Sequence, residues 1–230
     1  MRAALTSFFA RCCLLALLAS GSAFAQGVRI HMHGEGPYAA DGFFFTPADP
    51  NLPGGLLLIP GKAGVSPAIQ LAAQKLAEAG YRVVLLDPNR GGSPDLTPSE
   101  EQTWADIGAA LKFLDAQSVT HPVKLGVLGV GEGARMALRL ARERLVNAVA
   151  IESHDSPRPD DLPTATPLLA SLAGPAKPHR SAPHSSLARI EFYGARDGAA
   201  SDQNALFDSA DLVKIRQNEL EFFAQHLGPR

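Results

Sequence analysis

Short apolar runs alternate along most of the chain with longer segments in which apolar residues recur every three to four positions. The runs, of which 54–61 is the clearest, are apolar at successive positions, as in strands that are covered on both faces. The longer segments have the period of a helix with one buried face, and the first of them follows a capping serine, Ser66, and ends at Gly80. This alternation predicts an α/β fold with a mostly parallel sheet and helices on both faces.

Two parts of the chain depart from this alternation. Residues 28–49 have the pattern of two strands around a Gly-Pro turn, which predicts a β-hairpin at one edge of the sheet. Residues 155–186 are rich in proline, histidine and serine, with one apolar patch at 167–172, and they predict an excursion over the carboxyl edge of the sheet that holds one short helix. A strand beginning near Ala188 and an amphipathic terminal helix complete the predicted order.

The N-terminal segment predicts export. It has basic residues near its start, an apolar core at 12–19 and small residues that end in Ala25, which is the order found in secretory signal peptides. The apolar core is shorter than the about 20 residues that a membrane-spanning helix needs. We therefore expect a signal peptide at 1–25, cleaved after Ala25, a secreted or periplasmic location, and a single domain at 26–230.

The composition excludes several classes of function. Both cysteines lie in the predicted signal peptide, so the exported chain would have no disulfide, no cysteine nucleophile and no thiolate metal site. The net charge is −2 and no lysine- or arginine-rich run occurs, so neither nucleic acid nor an anionic membrane surface is an expected partner. A small-molecule ligand remains the expected partner, and the composition indicates no oligomeric state.

Neither a cofactor site nor a metal site is predicted. Gly129, Gly131 and Gly133 have the spacing G-x-G-x-G and follow a middle strand, whereas a dinucleotide-binding turn has the spacing G-x-G-x-x-G and follows the first strand. His31 and His33 share one face of a predicted strand, but no further ligand has a suggestive spacing nearby, and an exposed strand face explains them. In the stretch DPNRGG, Asp87 is expected to hydrogen-bond loop amides and thus to have a structural role.

Four segments occur in the order found in one common enzyme fold, namely LLLIPGKAG, VVLLDPNRGGSPD, KLGVLGVGEGARMAL and IEFYGARDG. In this order the chain resembles the α/β-hydrolase superfamily and, within it, the dienelactone-hydrolase-like branch. The resemblance implies that the first segment supplies an oxyanion-hole amide and that the third is the nucleophile elbow with its strand and helix. It also implies that Asp197, at the end of the fourth segment, is the triad acid, and that the activity is hydrolysis of small esters or lactones.

The implied catalytic triad is incomplete. The middle position of the elbow, which holds the nucleophile in this family, is Gly131. The family's histidine lies on a loop between a last strand and the terminal helix, but the only histidine after Asp197 is His226, inside the predicted terminal helix. Few residues separate Asp197 from that helix. The predicted sheet therefore either has a last strand between them or lacks it. We expect a degenerate site without the usual covalent mechanism.

The residues that remain predict a binding site. The residues after Gly131 would begin a helix. The free amides and the partial positive charge at the start of a helix favour an anion. Glycine at this position widens the pocket, and Lys62 either adds a positive charge or is a solvated loop residue. His154 ends the next strand at the same edge of the sheet. A small carboxylate or carbonyl ligand is expected at Gly61, Lys62, Gly131, Glu132 and His154.

Three functions stay open at this point. The first is a binding protein with little or no hydrolysis. The second is a divergent hydrolase of small esters or lactones in which Glu132, Asp197 or His154 activates water, although an acidic residue in the first turn also suits the helix dipole. The third is a structural protein that binds a partner through the proline-rich excursion and the terminal helix. A carboxylate and an imidazole within hydrogen-bond reach would favour the second function, and a closed pocket with an exposed apolar patch would favour the third.

Overall fold

The computed structural model describes residues 27–33, 39–49, 54–91, 98–117, 123–174, 187–194 and 206–228. The predicted signal peptide and Asp197 lie outside these residues, so both stay predictions. Within these ranges, no helix combines the length and the apolar character that crossing a membrane requires.

One sheet of eight strands carries the fold. The strands are β1 Val28–Met32, β2 Ala40–Phe45, β3 Gly55–Ile59, β4 Arg82–Leu86, β5 Leu125–Val130, β6 Ala148–Ser153, β7 Leu168–Ala173 and β8 Ala188–Tyr193. Their spatial order is β1-β2-β4-β3-β5-β6-β7-β8. β2 pairs antiparallel with β1 and with β4, and the other neighbours are parallel, which confirms the predicted mostly parallel sheet with an N-terminal hairpin.

Helices cover both faces of this sheet. In the described part of the chain they are α1 Pro67–Glu78, α2 Glu100–Ala116, α3 Gly133–Arg142 and α4 Ser209–Leu227, with a short 3₁₀ helix at Pro159–Asp161. The apolar residues of α2 and α3 pack on one face, and those of α1 and α4 on the other. α1 begins as predicted, since Pro67 is its first residue and the Ser66 hydroxyl accepts a hydrogen bond from the amide of Ile69 at 3.4 Å.

The central strands explain the continuous apolar runs of the sequence. Every residue of β3, β4, β5, β6 and β7 is buried, because helices lie on both faces. β3, β5 and β6 run in the same direction, so the residues that follow them meet at one edge of the sheet. Gly61, Gly131 and His154 lie at this carboxyl edge.

The structure corrects the prediction for the proline-rich region. The sequence predicts an excursion with one short helix over 155–186, and the 3₁₀ helix Pro159–Asp161 lies there, but the apolar stretch is strand β7, Leu168–Ala173, which pairs in parallel with β6 and β8. The pattern misses β7 because a short apolar run without periodicity does not distinguish a buried strand from a buried helix. With β7 present, β8 is the last of the eight described strands in the chain. Asp197 follows β8, which is the chain position that the resemblance gives to the histidine.

Candidate functional site

The turn between β5 and α3 has the shape of a strand-to-helix elbow. Gly131 directly follows β5 with a φ of 57°, which is the left-handed region that side chains disfavour. Its amide donates a hydrogen bond to the carbonyl oxygen of Glu152 at 2.8 Å, and its carbonyl oxygen accepts one from the amide of Ala134 at 3.1 Å. The apex of the elbow is thus a glycine, which presents no side chain to the cleft.

Two further glycines allow the elbow to form. A Cβ atom on Gly133 would lie 2.2 Å from the carbonyl oxygen of Ile59, and a Cβ atom on Gly129 would lie 2.6 Å from the carbonyl oxygen of Gly133. Both distances are far below van der Waals contact, and the atoms in the way belong to the backbone. The close packing of the turn therefore requires glycine at both flanking positions.

The start of α3 presents hydrogen-bond donors at the elbow. Glu132 is the residue that precedes the helix, and its side chain makes no capping hydrogen bond. The amides of Glu132 and Gly133 donate to no acceptor in the described ranges. Free amides at a helix start carry the partial positive charge of the helix dipole, so they suit an anion or a carbonyl oxygen.

Two adjoining clefts open at this edge of the sheet. The larger cleft has a volume of about 1100 Å³ and is lined by Gly131, Glu132 and His154, among others. The smaller has a volume of about 130 Å³ and is lined by Gly61, Lys62 and again Glu132. The structure thus brings the five predicted ligand-binding residues to one edge but divides them between two clefts that share Glu132.

Glu132 and His154 do not form an acid–base pair. Both side chains are exposed, and within the described residues neither makes a side-chain hydrogen bond or ion pair. Ser153 is buried while its neighbour His154 is exposed, as alternation at a strand end predicts. The carboxylate–imidazole contact that would favour a hydrolase is therefore absent between these two residues.

Arginines line the larger cleft, a feature that the sequence pattern did not predict. Arg135 forms an ion pair with Glu100 at 2.8 Å, and Arg142 forms one with Asp161 at 3.3 Å. Arg158 also lines this cleft, and it forms no ion pair with a described residue. The available signal was the recurrence of arginine at helical spacing along α3, which places several positive charges on one face of that helix.

Ser153 lies beside the elbow on the neighbouring strand. Val130 pairs with Glu152, so Gly131 and Ser153 occupy the next position on each strand. Ser153 is only 9% exposed, and it lines the larger cleft. Its hydroxyl oxygen accepts a hydrogen bond from the amide of Asp155 at 3.0 Å, while its proton has no acceptor among the described residues.

A buried charged cluster lies behind the elbow, between β6 and α4. One nitrogen of Arg216 donates to Glu152 and to Glu219, both at 2.5 Å. Burial raises the pKa of Glu219 to about 8; Arg216 opposes this rise and Glu152 adds to it. This shift favours the protonated form of Glu219. In the described part of the chain, one oxygen of Glu219 and the hydroxyl of Ser171 are buried without a hydrogen-bond partner.

His226 lies at the opposite edge of the sheet from the elbow. Its ring packs on that of Phe222 with centroids 4.8 Å apart. Burial lowers the pKa of His226, and the positive charge of Lys124 lowers it further. Lys124 directly precedes β5 and Gly131 directly follows it, so the six residues of β5 separate His226 from the elbow by about 20 Å. His226 is therefore out of reach of chemistry at Gly131.

Asp87 has the structural role that the sequence predicts. Its carboxylate accepts a hydrogen bond from the amide of Gly91 at 2.9 Å and pairs with Arg29 at 3.1 Å. Arg90, in the same turn, donates to the carboxylate of Asp106 and to the carbonyl oxygen of Ala39, both at 3.0 Å. These contacts fix the loop after β4 to the hairpin and to α2.

The described residues hold no group of three or more histidine, cysteine, aspartate or glutamate side chains arranged to bind a metal ion. The Nδ1 atom of His31 instead lies 2.5 Å from the carboxylate of Asp41 on the paired strand. His31 thus interacts across the hairpin at the sheet edge.

Known proteins resemble this chain in sequence pattern and in fold. The model of the dienelactone hydrolase family matches residues 40–191. A dienelactone hydrolase from Anabaena variabilis has a TM-score of 0.63 at 20% identity, covering 88% of this chain and 98% of its own. A dienelactone hydrolase-like promiscuous phosphotriesterase from metagenomic libraries has a TM-score of 0.64 at 17% identity, covering 88% of this chain and 99% of its own.

An esterase from Pyrococcus furiosus has a TM-score of 0.63 at 12% identity, covering 88% of this chain and 93% of its own. At these identities the solved structures establish the fold alone. No curated protein matches the sequence at a significant level.

Proposed function

Because this chain belongs to the dienelactone hydrolase family, we propose that it uses the family's nucleophile elbow as a binding site and not for covalent catalysis. Its ligand is a small carboxylate or carbonyl compound, which it binds with little or no hydrolysis. This proposal goes beyond family membership, because the family comprises enzymes by name and this chain lacks parts of the usual machinery.

One observation carries the proposal: the apex of the elbow is Gly131. A covalent mechanism needs an oxygen or sulfur nucleophile at this apex and a base within hydrogen-bond reach of it. Glycine supplies no nucleophile. The sequence from Gly194 to the start of α4 contains no histidine, and His226 lies at the other edge of the sheet.

The elbow keeps the features that would hold a ligand. The amides of Glu132 and Gly133 remain as donors at the start of α3, where Glu132 lines both clefts and Gly133 lines the smaller one, of about 130 Å³. Donors fixed by the backbone stabilise a negative or partly negative oxygen without reorganisation. A carboxylate or carbonyl oxygen is the group that such donors suit.

Export is part of this proposal. The charge, apolar core and small residues at 1–25 support a cleaved signal peptide and hence a secreted or periplasmic binding protein. A mature chain without thiols suits an oxidising compartment, since it has no cysteine to be oxidised.

The test combines hydrolysis and binding on the purified mature protein. We expect no turnover of p-nitrophenyl esters or small lactones above the buffer rate, and we expect benzoate to bind in a ligand-observed NMR titration. Gly131→Ser should weaken benzoate binding, because its side chain enters the space beside the amides. Gly108→Ser is the matched control, since Gly108 is exposed on α2 with no atom within 4 Å of an added Cβ.

The variants also distinguish the alternative functions. Turnover by the wild type that disappears in Glu132→Gln or Asp197→Ala would establish a divergent hydrolase and overturn the binding proposal. Restoration of turnover by Gly131→Ser alone would show that a competent base is present after all. Absence of both turnover and benzoate binding would favour a role in partner binding.

A further inference from the structure

Two histidines lie close together on the edge strand of the N-terminal hairpin. His31 is in β1, and His33 directly follows the last residue of that strand. Both side chains are exposed while Met32 between them is buried, so the two histidines share the outer face of the strand. Two strand positions span about 7 Å, and a metal ion lies about 2 Å from a bound imidazole nitrogen, so one ion is within reach of both rings.

The ring of His31 is oriented by a carboxylate. Asp41 is its register partner on β2, and the carboxylate of Asp41 lies 2.5 Å from Nδ1 of His31. An ionised carboxylate only accepts hydrogen bonds, so Nδ1 carries the proton and Nε2 keeps a free lone pair. Metal-binding histidines are commonly held in this way, because the carboxylate fixes the tautomer and raises the basicity of the other nitrogen. Among the described residues, none bonds to Nε2 of His31 or to the ring of His33.

The charges beside His31 favour a cation. Arg29, on the same face of β1, pairs with Asp41 at 3.4 Å and with Asp87 at 3.1 Å. Two carboxylates therefore face one guanidinium, which leaves one negative charge in excess. Arg90, the cation of the adjoining turn, is paired with Asp106 at 3.0 Å.

We propose that His31 and His33 together bind a divalent transition-metal ion, with Cu²⁺ preferred over Zn²⁺, through one nitrogen of each ring. Imidazole suits both ions, and nitrogen sites generally bind Cu²⁺ more tightly than Zn²⁺. Since the described residues form no group of three metal ligands, water completes the coordination shell. Strands β2, β4 and β3 separate β1 from β5 by about 19 Å, so this site is independent of the elbow and of the proposed function.

The test is a titration of the protein, without a polyhistidine tag, with Cu²⁺ alone, followed by calorimetry and by electron paramagnetic resonance. We expect one bound equivalent whose spectrum shows coupling to two imidazole nitrogens. A second ligand on the same site raises affinity by about 10²–10⁴-fold, so His31→Gln and His33→Gln should each weaken Cu²⁺ binding by at least about 100-fold. Zn²⁺ should bind the wild type more weakly than Cu²⁺.

Two substitutions of Asp41 test how the carboxylate positions His31. Asp41→Ala should weaken Cu²⁺ binding by about 10-fold to 100-fold. Asp41→Asn keeps an oxygen that accepts from Nδ1 and should weaken binding less. His154→Gln is the matched control, because His154 is an exposed histidine at the carboxyl edge of β6. Thermal unfolding without metal identifies any variant in which the hairpin itself is disturbed.

Three outcomes would overturn the shared site. These are equal Cu²⁺ affinity in wild type and in either histidine variant, a spectrum with a single coupled nitrogen, and two weak equivalents of which each histidine variant loses one. The benzoate titration is a separate experiment at the elbow. Its failure would overturn the proposed function and leave the metal site standing, and loss of the metal site would leave the proposed function standing.

Discussion

Three glycines alternate through the elbow, and they are there for two physical reasons. Gly129 and Gly133 are fixed by space, since an added Cβ would meet backbone oxygen atoms at 2.6 Å and 2.2 Å. Gly131 is the position with a positive φ, 57°, where a nucleophile would have to adopt an unfavourable backbone conformation. Glycine at this position relieves that strain and presents no side chain to the cleft.

Gly133→Ala should destabilise the protein by about 1–3 kcal/mol or more, because the added Cβ meets the backbone of β3 and cannot be relieved by a side-chain rotation. Gly108→Ala should instead stabilise it by about 0.5–1 kcal/mol, since it lies in the exposed interior of α2 with free space around it. Urea unfolding of both variants measures the difference. An unchanged midpoint for Gly133→Ala would show that the elbow is looser than this packing indicates.

The chain positions of the predicted ligand residues indicate the sheet edge at which they lie, but not the cleft that each residue lines. Gly61, Gly131 and His154 all follow parallel strands, so their meeting at one sheet edge was predictable from strand direction. Which cleft each residue lines depends on side-chain packing. The sequence therefore did not predict that these residues are divided between two clefts. It also did not predict that Ser153 and Arg158 line the larger cleft.

At the scale of elements, α4 is held to the sheet by polar as well as apolar contacts. Arg216 links Glu152 of β6 to Glu219, and Asn218 donates to the hydroxyl of Tyr193 on β8 at 2.8 Å. Burial raises the pKa of Tyr193 to about 12. The sequence predicted an amphipathic helix but not these inward polar residues, because amphipathic periodicity assigns charged residues to the solvent face.

The buried Glu219 should make stability depend on pH. Its pKa is about 8 in the folded protein against an ordinary value of 4.5, so the folded state holds this proton more tightly than the unfolded state. Its contribution is fully present below about pH 4.5 and is lost as the pH rises through 8. The free energy of unfolding should therefore fall as the pH rises across this window.

Glu219→Gln, which mimics the protonated carboxyl, should remove most of this decline in chemical unfolding measured from pH 5 to 9. Glu221→Gln is the matched control, since Glu221 lies on the exposed side of the same helix. A decline of equal size in Glu219→Gln and in wild type would assign the pH dependence to other groups.

At the scale of the whole molecule, the most direct prediction concerns the N-terminus. Expressed in a host with a general secretory pathway, the full chain should appear outside the cytoplasm and begin at Gln26, because the segment 1–25 has the features of a signal peptide. Intact-mass measurement of the exported protein checks this. A chain that stays in the cytoplasm with residues 1–25 attached would contradict the predicted location.

The sequence by itself determined the class of the fold, because strand and helix periodicities, capping residues and continuous apolar runs are local properties of the chain. It also determined that the middle position of the elbow segment is glycine, Gly131. The tertiary structure alone decided that Leu168–Ala173 is a strand, because a six-residue apolar run becomes a strand by pairing with β6 and β8.

The tertiary structure likewise placed His226 away from the elbow and brought Ser153 beside it. These two results depend on strand pairing and on the direction in which α4 crosses the sheet. Strand pairing and helix packing bring together residues that are distant in the chain, and no local pattern encodes such contacts.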